Sequence, residues 1–160
     1  MRFEFGAEGV SHASARAQCT KGVAMAVLSD EVKKVFEEVP TLVFCTATLE
    51  GQPNGAPVGM KKIIDDETVY VSDQFFKKTL ANVKANSKVS LVFWGDNGAY
   101  QIHGTARYVD EGEQFAEQKK WVDAAFAAMG APIVAKGGCF VHVDAVYTSQ
   151  PGPTAGDRIA

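Results

Sequence analysis

The run from residue 41 to residue 72 limits the folds open to this chain. Residues 41–49 (TLVFCTATL) are apolar and rich in β-branched side chains, residues 55–64 form a second strand-like run, and residues 68–72 (TVYVS) a third. Only residues 50–54, with the turn Glu50-Gly51-Gln52-Pro53, and residues 65–67, with Asp65-Asp66, stand between them. Neighbouring parallel strands need a crossover of roughly a dozen residues or more, so this spacing disfavours a doubly wound parallel sheet and predicts antiparallel hairpins.

The flanking segments add helices and three further strands. Ser29 is placed to cap a helix whose first turn carries Asp30 and Glu31, both favourable at the positive end of the helix dipole. Val32, Val35, Phe36 and Val39 fall on one face of it, and Pro40 ends it. After residue 72 a tight turn leads to a short helix opening on Lys77-Lys78-Thr79, then to a buried strand over residues 89–94. Gly95-Asp96-Asn97-Gly98 is a hairpin signal. In the fifth strand, residues 100–109, Gln101, His103, Thr105 and Arg107 share a polar face, while Tyr100, Ile102, Ala106 and Tyr108 face the other way. Residues 112–129 read as a helix with Phe115, Val122, Phe126 and Met129 on one side, residues 130–136 as a loop, and residues 139–147 as the sixth strand. Six short antiparallel strands close most naturally into a small barrel flanked by helices, a mainly β (α+β) class.

The chain divides into an N-terminal arm over residues 1–24, one domain over residues 25–149 and a Pro/Gly-rich tail over residues 150–160. The arm has glycines, small polar residues and no apolar run of the kind a secretory signal needs, so it reads as flexible. No run approaches the length that spans a bilayer, so no membrane partner is expected. The formal charge of −3 argues against nucleic acid as a partner and leaves room for a small anionic ligand held by local basic clusters. Cys19, Cys45 and Cys139 are odd in number and far apart, as in a reduced, cytoplasmic protein. His12, His103 and His142 have no metal-ligand spacing, so no metal site is expected. Cys139 and His142 are three apart, which in a strand puts them on opposite faces, and there is no G-x-S-x-G; no catalytic residue is assigned. The pair Asp65-Asp66 sits in a turn and reads as solvated.

Two segments suggest a ligand. Lys77, Lys78 and Thr79 open a helix, where unpaired N–H groups and a partial positive charge favour a phosphate; the plainer reading is that Lys77, Lys78 and Lys84 solvate a surface helix. Gly55, Ala56, Pro57 and Gly59 crowd the start of the second strand, followed by Lys61. Such a run permits close approach of a flat ligand to the backbone, and it equally suits an edge strand or bulge.

With TLVFCTATLEGQPNGAPV, Lys61 and KKTLANVKANSKVSL in this order, the chain resembles the pyridoxamine 5′-phosphate oxidase-like flavin-binding split barrels over residues 28–147. The resemblance implies a six-stranded antiparallel split β-barrel with FMN at a homodimer interface. It implies phosphate contacts from Lys61, Lys77, Lys78 and Thr79. Ala56, Val58, Gly59, Val71 and Ser72 would border the ribityl chain and ring through backbone groups, and Gln101 would contact the flavin. Phe75, Phe76, Phe93 and Trp94 exceed what one small core can hold, so some of them are expected at a two-fold interface, with the tail across the dimer seam and Arg158 near an anionic group. The oxidase proper ends in an arginine- and histidine-bearing motif; here the end is TSQPGPTAGDRIA, with Arg158 its only cation, which speaks against pyridoxamine-phosphate turnover. Electron transfer or FMN-dependent reduction is the expected function. A flavin-storage module and a split barrel that takes a deazaflavin or haem are the alternatives.

Overall fold

A computed structural model describes residues 26–160; the N-terminal arm lies outside the described residues. The chain forms α1 (Asp30–Glu38), β1 (Leu42–Ala47), β2 (Pro53–Val58), β3 (Lys61–Asp65), β4 (Thr68–Asp73), α2 (Lys78–Ala85), β5 (Lys88–Gly95), β6 (Gly98–Val109), α3 (Glu113–Ala128) and β7 (Gly137–Thr148). The strands make one antiparallel sheet in the order β2-β1-β5-β6-β7-β4-β3. The sequence predicts six strands; the described residues form seven, because the single strand expected over residues 55–64 breaks at Gly59-Met60.

That break shapes the molecule. β2 and β3 are consecutive in the chain yet occupy opposite edges of the sheet, so a two-residue connection requires the sheet to curl until its edges meet. The edges are not paired to each other, and the curl is a split barrel. The Met60 carbonyl accepts from Ser72 N–H at 2.9 Å, which ties the corner to β4.

The curl encloses Leu42, Phe44, Val69, Val71, Leu91, Ile102 and Val141, inward residues of the alternation in five strands. α1 packs against β3, β5 and β6, with Val32, Val35 and Phe36 buried and the Phe36 ring edge-on to Phe93 at 5.4 Å. The Ser29 hydroxyl accepts from Val32 N–H at 3.3 Å, as the cap pattern predicts. α3 covers the outside of β7 through a second cluster of Tyr70, Phe115, Val122, Ala135 and Phe140. Met129, expected on the buried face of α3, is its C-cap and is 64% exposed. Cys139 is buried and His142 is exposed, on opposite faces of β7.

The tail is folded back on the free edge of β7. Val146 N–H donates to the Ala160 carbonyl at 2.9 Å, Ile159 N–H to Val146 at 2.8 Å and Thr148 N–H to Asp157 at 3.0 Å, and Tyr147 and Arg158 form a bridge. Among the described residues no helix is long and apolar enough to cross a membrane.

Candidate functional site

A cleft of about 260 Å³ lies where β2, the end of β4 and the start of α2 converge. β2 and its corner contribute Ala56, Pro57, Val58 and Gly59; β4 contributes Ser72; the connecting turn contributes Gln74, Phe75 and Phe76; α2 contributes Thr79. None of these is a carboxylate. Among the described residues β2 pairs only with β1, so it is an edge strand there, and the small residues along it also leave the cleft open.

The start of α2 is a donor-rich terminus. Its N-cap, Lys77, makes no side-chain cap bond, so the first-turn N–H groups of Lys78, Thr79 and Leu80 have no intrahelical partner. Lys77 and Lys78 are exposed beside the cleft, while Thr79 is 5% exposed and faces it. Behind Thr79, Asn54 Nδ2 donates to Thr79 Oγ1 and to Thr46 Oγ1, both at 3.1 Å, and Asn82 Nδ2 donates to Thr46 Oγ1 at 3.1 Å.

The turn before α2 is braced from inside. Asp73 is buried; its Oδ1 accepts from Phe76 N–H at 2.7 Å and its Oδ2 from the Tyr108 hydroxyl at 2.9 Å. Burial first, then the Asp73 bond, raises the Tyr108 pKa well above the usual tyrosine value. Gln74 Nε2 donates to Ser72 Oγ at 2.7 Å. Phe76 stacks on Phe44 at 5.9 Å, and Phe75 stands 70% exposed at the rim.

Of the residues singled out from sequence, Ala56, Val58, Gly59, Ser72 and Thr79 meet in the cleft, with Lys77 and Lys78 alongside. Three do not. Val71 is wholly buried in the core, so only its backbone is at hand. Lys61 turns away: its ammonium donates to the Phe36 carbonyl at 2.6 Å, lies 4.9 Å from the Phe36 ring centre, and burial lowers its pKa. Gln101 lies on the outer face of β6, opposite Val92 and Tyr147. Near it a wider groove of about 570 Å³ runs over β1, β5, β6 and β7, lined in part by Cys45, Ser90, His103 and Asp144. Arg158 reaches this groove and donates to the backbone oxygens of Ala160 at 2.8 Å and Asp144 at 3.3 Å. Gln74 and Asn54 were not foreseen; the Asn54-to-Thr79 contact spans 25 residues and has no local signature.

The curled sheet, the cleft at the start of α2 and the short helix between β4 and β5 define a split-barrel domain. The sequence pattern described as pyridoxamine 5′-phosphate oxidase matches residues 28–147, and the chain belongs to that family. An uncharacterized protein of Methanocaldococcus jannaschii is 32% identical over 142 residues, 87% of this chain and 92% of that protein. Among solved structures, HupZ of Group A Streptococcus is 27% identical with a TM-score of 0.67, covering 81% of this chain and 99% of that one. An FMN-binding protein of Syntrophomonas wolfei subsp. wolfei is 21% identical with a TM-score of 0.56, covering 68% and 77%. HutZ, the heme storage protein of Vibrio cholerae, is 17% identical with a TM-score of 0.58, covering 76% and 94%. At these last two identities the likeness concerns the fold alone.

Proposed function

We propose that this chain is an FMN-binding flavoprotein, assembled as a homodimer, that serves electron transfer or FMN-dependent reduction. The observation that carries the reading is the cleft at the uncapped start of α2: donors line it, two lysines stand beside it, and no carboxylate among the described residues lines it. A phosphate dianion is the ligand group such a site favours. Lys77, Lys78, Thr79 and the first-turn N–H groups of α2 would hold the phosphate, and the backbone of Ala56, Val58, Gly59, Val71 and Ser72 would border the ribityl chain. Lys61 would join them only by releasing the Phe36 carbonyl.

At about 260 Å³ the cleft falls below the roughly 300–1,000 Å³ of sites that enclose a whole ligand of this size. It suits the phosphate end and leaves the ring outside, against a second copy. The outer sheet face that carries Gln101, and Trp94 at 61% exposure, are the surface we assign to that contact. When bound, the flavin supplies the redox chemistry, and the protein supplies position and electrostatics. The proposal does not extend to pyridoxamine-phosphate turnover, because Arg158, the tail's one cation, already bonds to two backbone oxygens.

Titration with FMN and riboflavin tests the reading. Each charge-assisted hydrogen bond contributes roughly 1.5–3 kcal/mol, so Lys78→Ala is expected to weaken FMN about ten- to a hundredfold and riboflavin hardly at all. Equal losses for the two would remove Lys78 from the phosphate. A purified protein with a haem spectrum, or one that ignores FMN, would overturn the cofactor assignment. Bleaching of bound FMN by NADH or NADPH separates reduction from storage.

A further inference from the structure

The amide of Asn54 sits at the centre of a polar network between β1, β2 and α2. Its nitrogen has two hydrogens, and both are spent, one on Thr46 Oγ1 and one on Thr79 Oγ1. Thr46 Oγ1 accepts a second N–H from Asn82, which fills both of its lone-pair sites. Thr46, Asn82 and Thr79 are each more than nine-tenths buried, so this pattern is not exchanged freely with water. One consequence concerns Thr79. Its oxygen is held as an acceptor from Asn54, and no acceptor among the described residues takes its hydroxyl hydrogen. The residue lines the cleft. With the first-turn N–H groups of α2 beside it, the polar groups there are set to donate.

We propose that Asn54 is a positioning residue that presets the Thr79 hydroxyl as a hydrogen-bond donor to an oxyanion in the cleft, a step that rests on the FMN reading above. Asn54 does not line the cleft and acts through Thr79. A phosphate oxygen accepts only, so it takes the Thr79 hydrogen that Asn54 leaves free, whereas a ligand that must donate finds one of the two Thr79 lone-pair sites already filled by Asn54. Asn54 is thereby a determinant of selectivity for phosphorylated over unphosphorylated flavin.

Asn54→Ala and Asn54→Asp test this in the full chain. Alanine leaves the Thr79 hydroxyl free to turn. Aspartate has nearly the same shape but only accepts, so it takes the Thr79 hydrogen for itself and adds a negative charge. Both variants are expected to lose FMN affinity roughly ten- to a hundredfold while riboflavin changes by less than about threefold. Asn54→Ala should add nothing to Thr79→Val, because the two residues act in one chain of contacts. Thr46→Val is the structural control: it breaks the same network away from the cleft, so stability falls and the FMN-to-riboflavin ratio stays. Equal losses for both flavins, or a full additional loss in the Thr79→Val background, would overturn the proposal. So would a wild type that binds both flavins equally, although the flavin reading would then survive. If the wild type binds neither flavin, that reading fails by itself. Inorganic phosphate, followed through the Thr79 amide resonance, then decides: a saturable shift weakened by Asn54→Ala supports the preset donor, and no shift in the wild type overturns it.

Discussion

At the scale of single residues, two side chains show how burial changes chemistry that the sequence only hints at. Lys61 looks like a phosphate ligand on its strand, but α1 has no basic residue in its last turn, and the carbonyls after Val35, which bonds to Val39 N–H, have no intrahelical partner. Lys61 reaches one of them across 25 residues of sequence, a tertiary event no local pattern contains. Cys139 was legible as a buried thiol, and its environment has a consequence for stability. Burial, with a smaller contribution from the Asp73 charge, pushes its pKa from 9.0 up to about 12. A raised acid pKa means the folded state keeps a proton that the unfolded chain gives up. The resulting stability is fully present below pH 9.0 and is lost as pH rises towards about 12. Urea unfolding between about pH 8 and 10.5 should show stability falling, by at most roughly 1.4 kcal/mol per pH unit from this thiol. Cys139→Ala costs stability at every pH but should flatten that slope; an unchanged slope would assign it to Tyr70 and Tyr108, whose pKa values are also raised.

Among the elements, the helices and most strands were legible because each carries its own signal. α1 has its cap, its apolar face and its proline stop, and β6 alternates along its length with Ile102 and Ala106 inward. The break between β2 and β3 was not legible, since the small residues at 55–59 suit an edge, a bulge or a corner alike, and only closure of the sheet selects the corner. The turn joining β4 to α2 depends on a similar long-range contact. Tyr108 on β6 donates to Asp73, and the same carboxylate holds Phe76 N–H. Gly137 on β7 makes room for this, because a Cβ there would strike the Tyr108 hydroxyl. Removing that hydroxyl leaves one buried carboxylate oxygen without its partner. Tyr108→Phe is therefore expected to cost about 1–3 kcal/mol and to speed hydrogen exchange at the Phe76 amide more than at Leu91 in the core. Exchange that rises equally at both sites would mean the whole barrel was loosened and the turn has no separate brace.

For the whole molecule, sequence reading reached the barrel and half of the cleft. Ala56, Val58, Gly59, Ser72 and Thr79 come together because strand ends and helix starts converge where a curled sheet is split. The tail was harder, since two prolines and two glycines give no period, and either fraying or docking fits them. In the structure it docks. β4 covers β7 from Gly137 to His142, and beyond that point the edge is met by the Val143 bond to Glu67 and then by residues 156–160. Each tail bond satisfies an N–H or carbonyl that would otherwise lie on an open strand edge, and open edges pair with other chains. Truncation after Thr148 removes these partners, and with them the Arg158 bond to the Asp144 carbonyl. Of the removed residues only Ala160 packs against the barrel core of Leu42, Phe44, Leu91 and Ile102, so the truncated chain should still fold. It should nevertheless melt at a lower temperature and form larger, concentration-dependent species in light scattering. If instead it stays at the size of the full chain and loses no thermal stability, the tail is not an edge cap. FMN titration of the same protein then asks whether the tail acts at the dimer seam. A truncated dimer that keeps full FMN affinity limits the tail's role to covering β7.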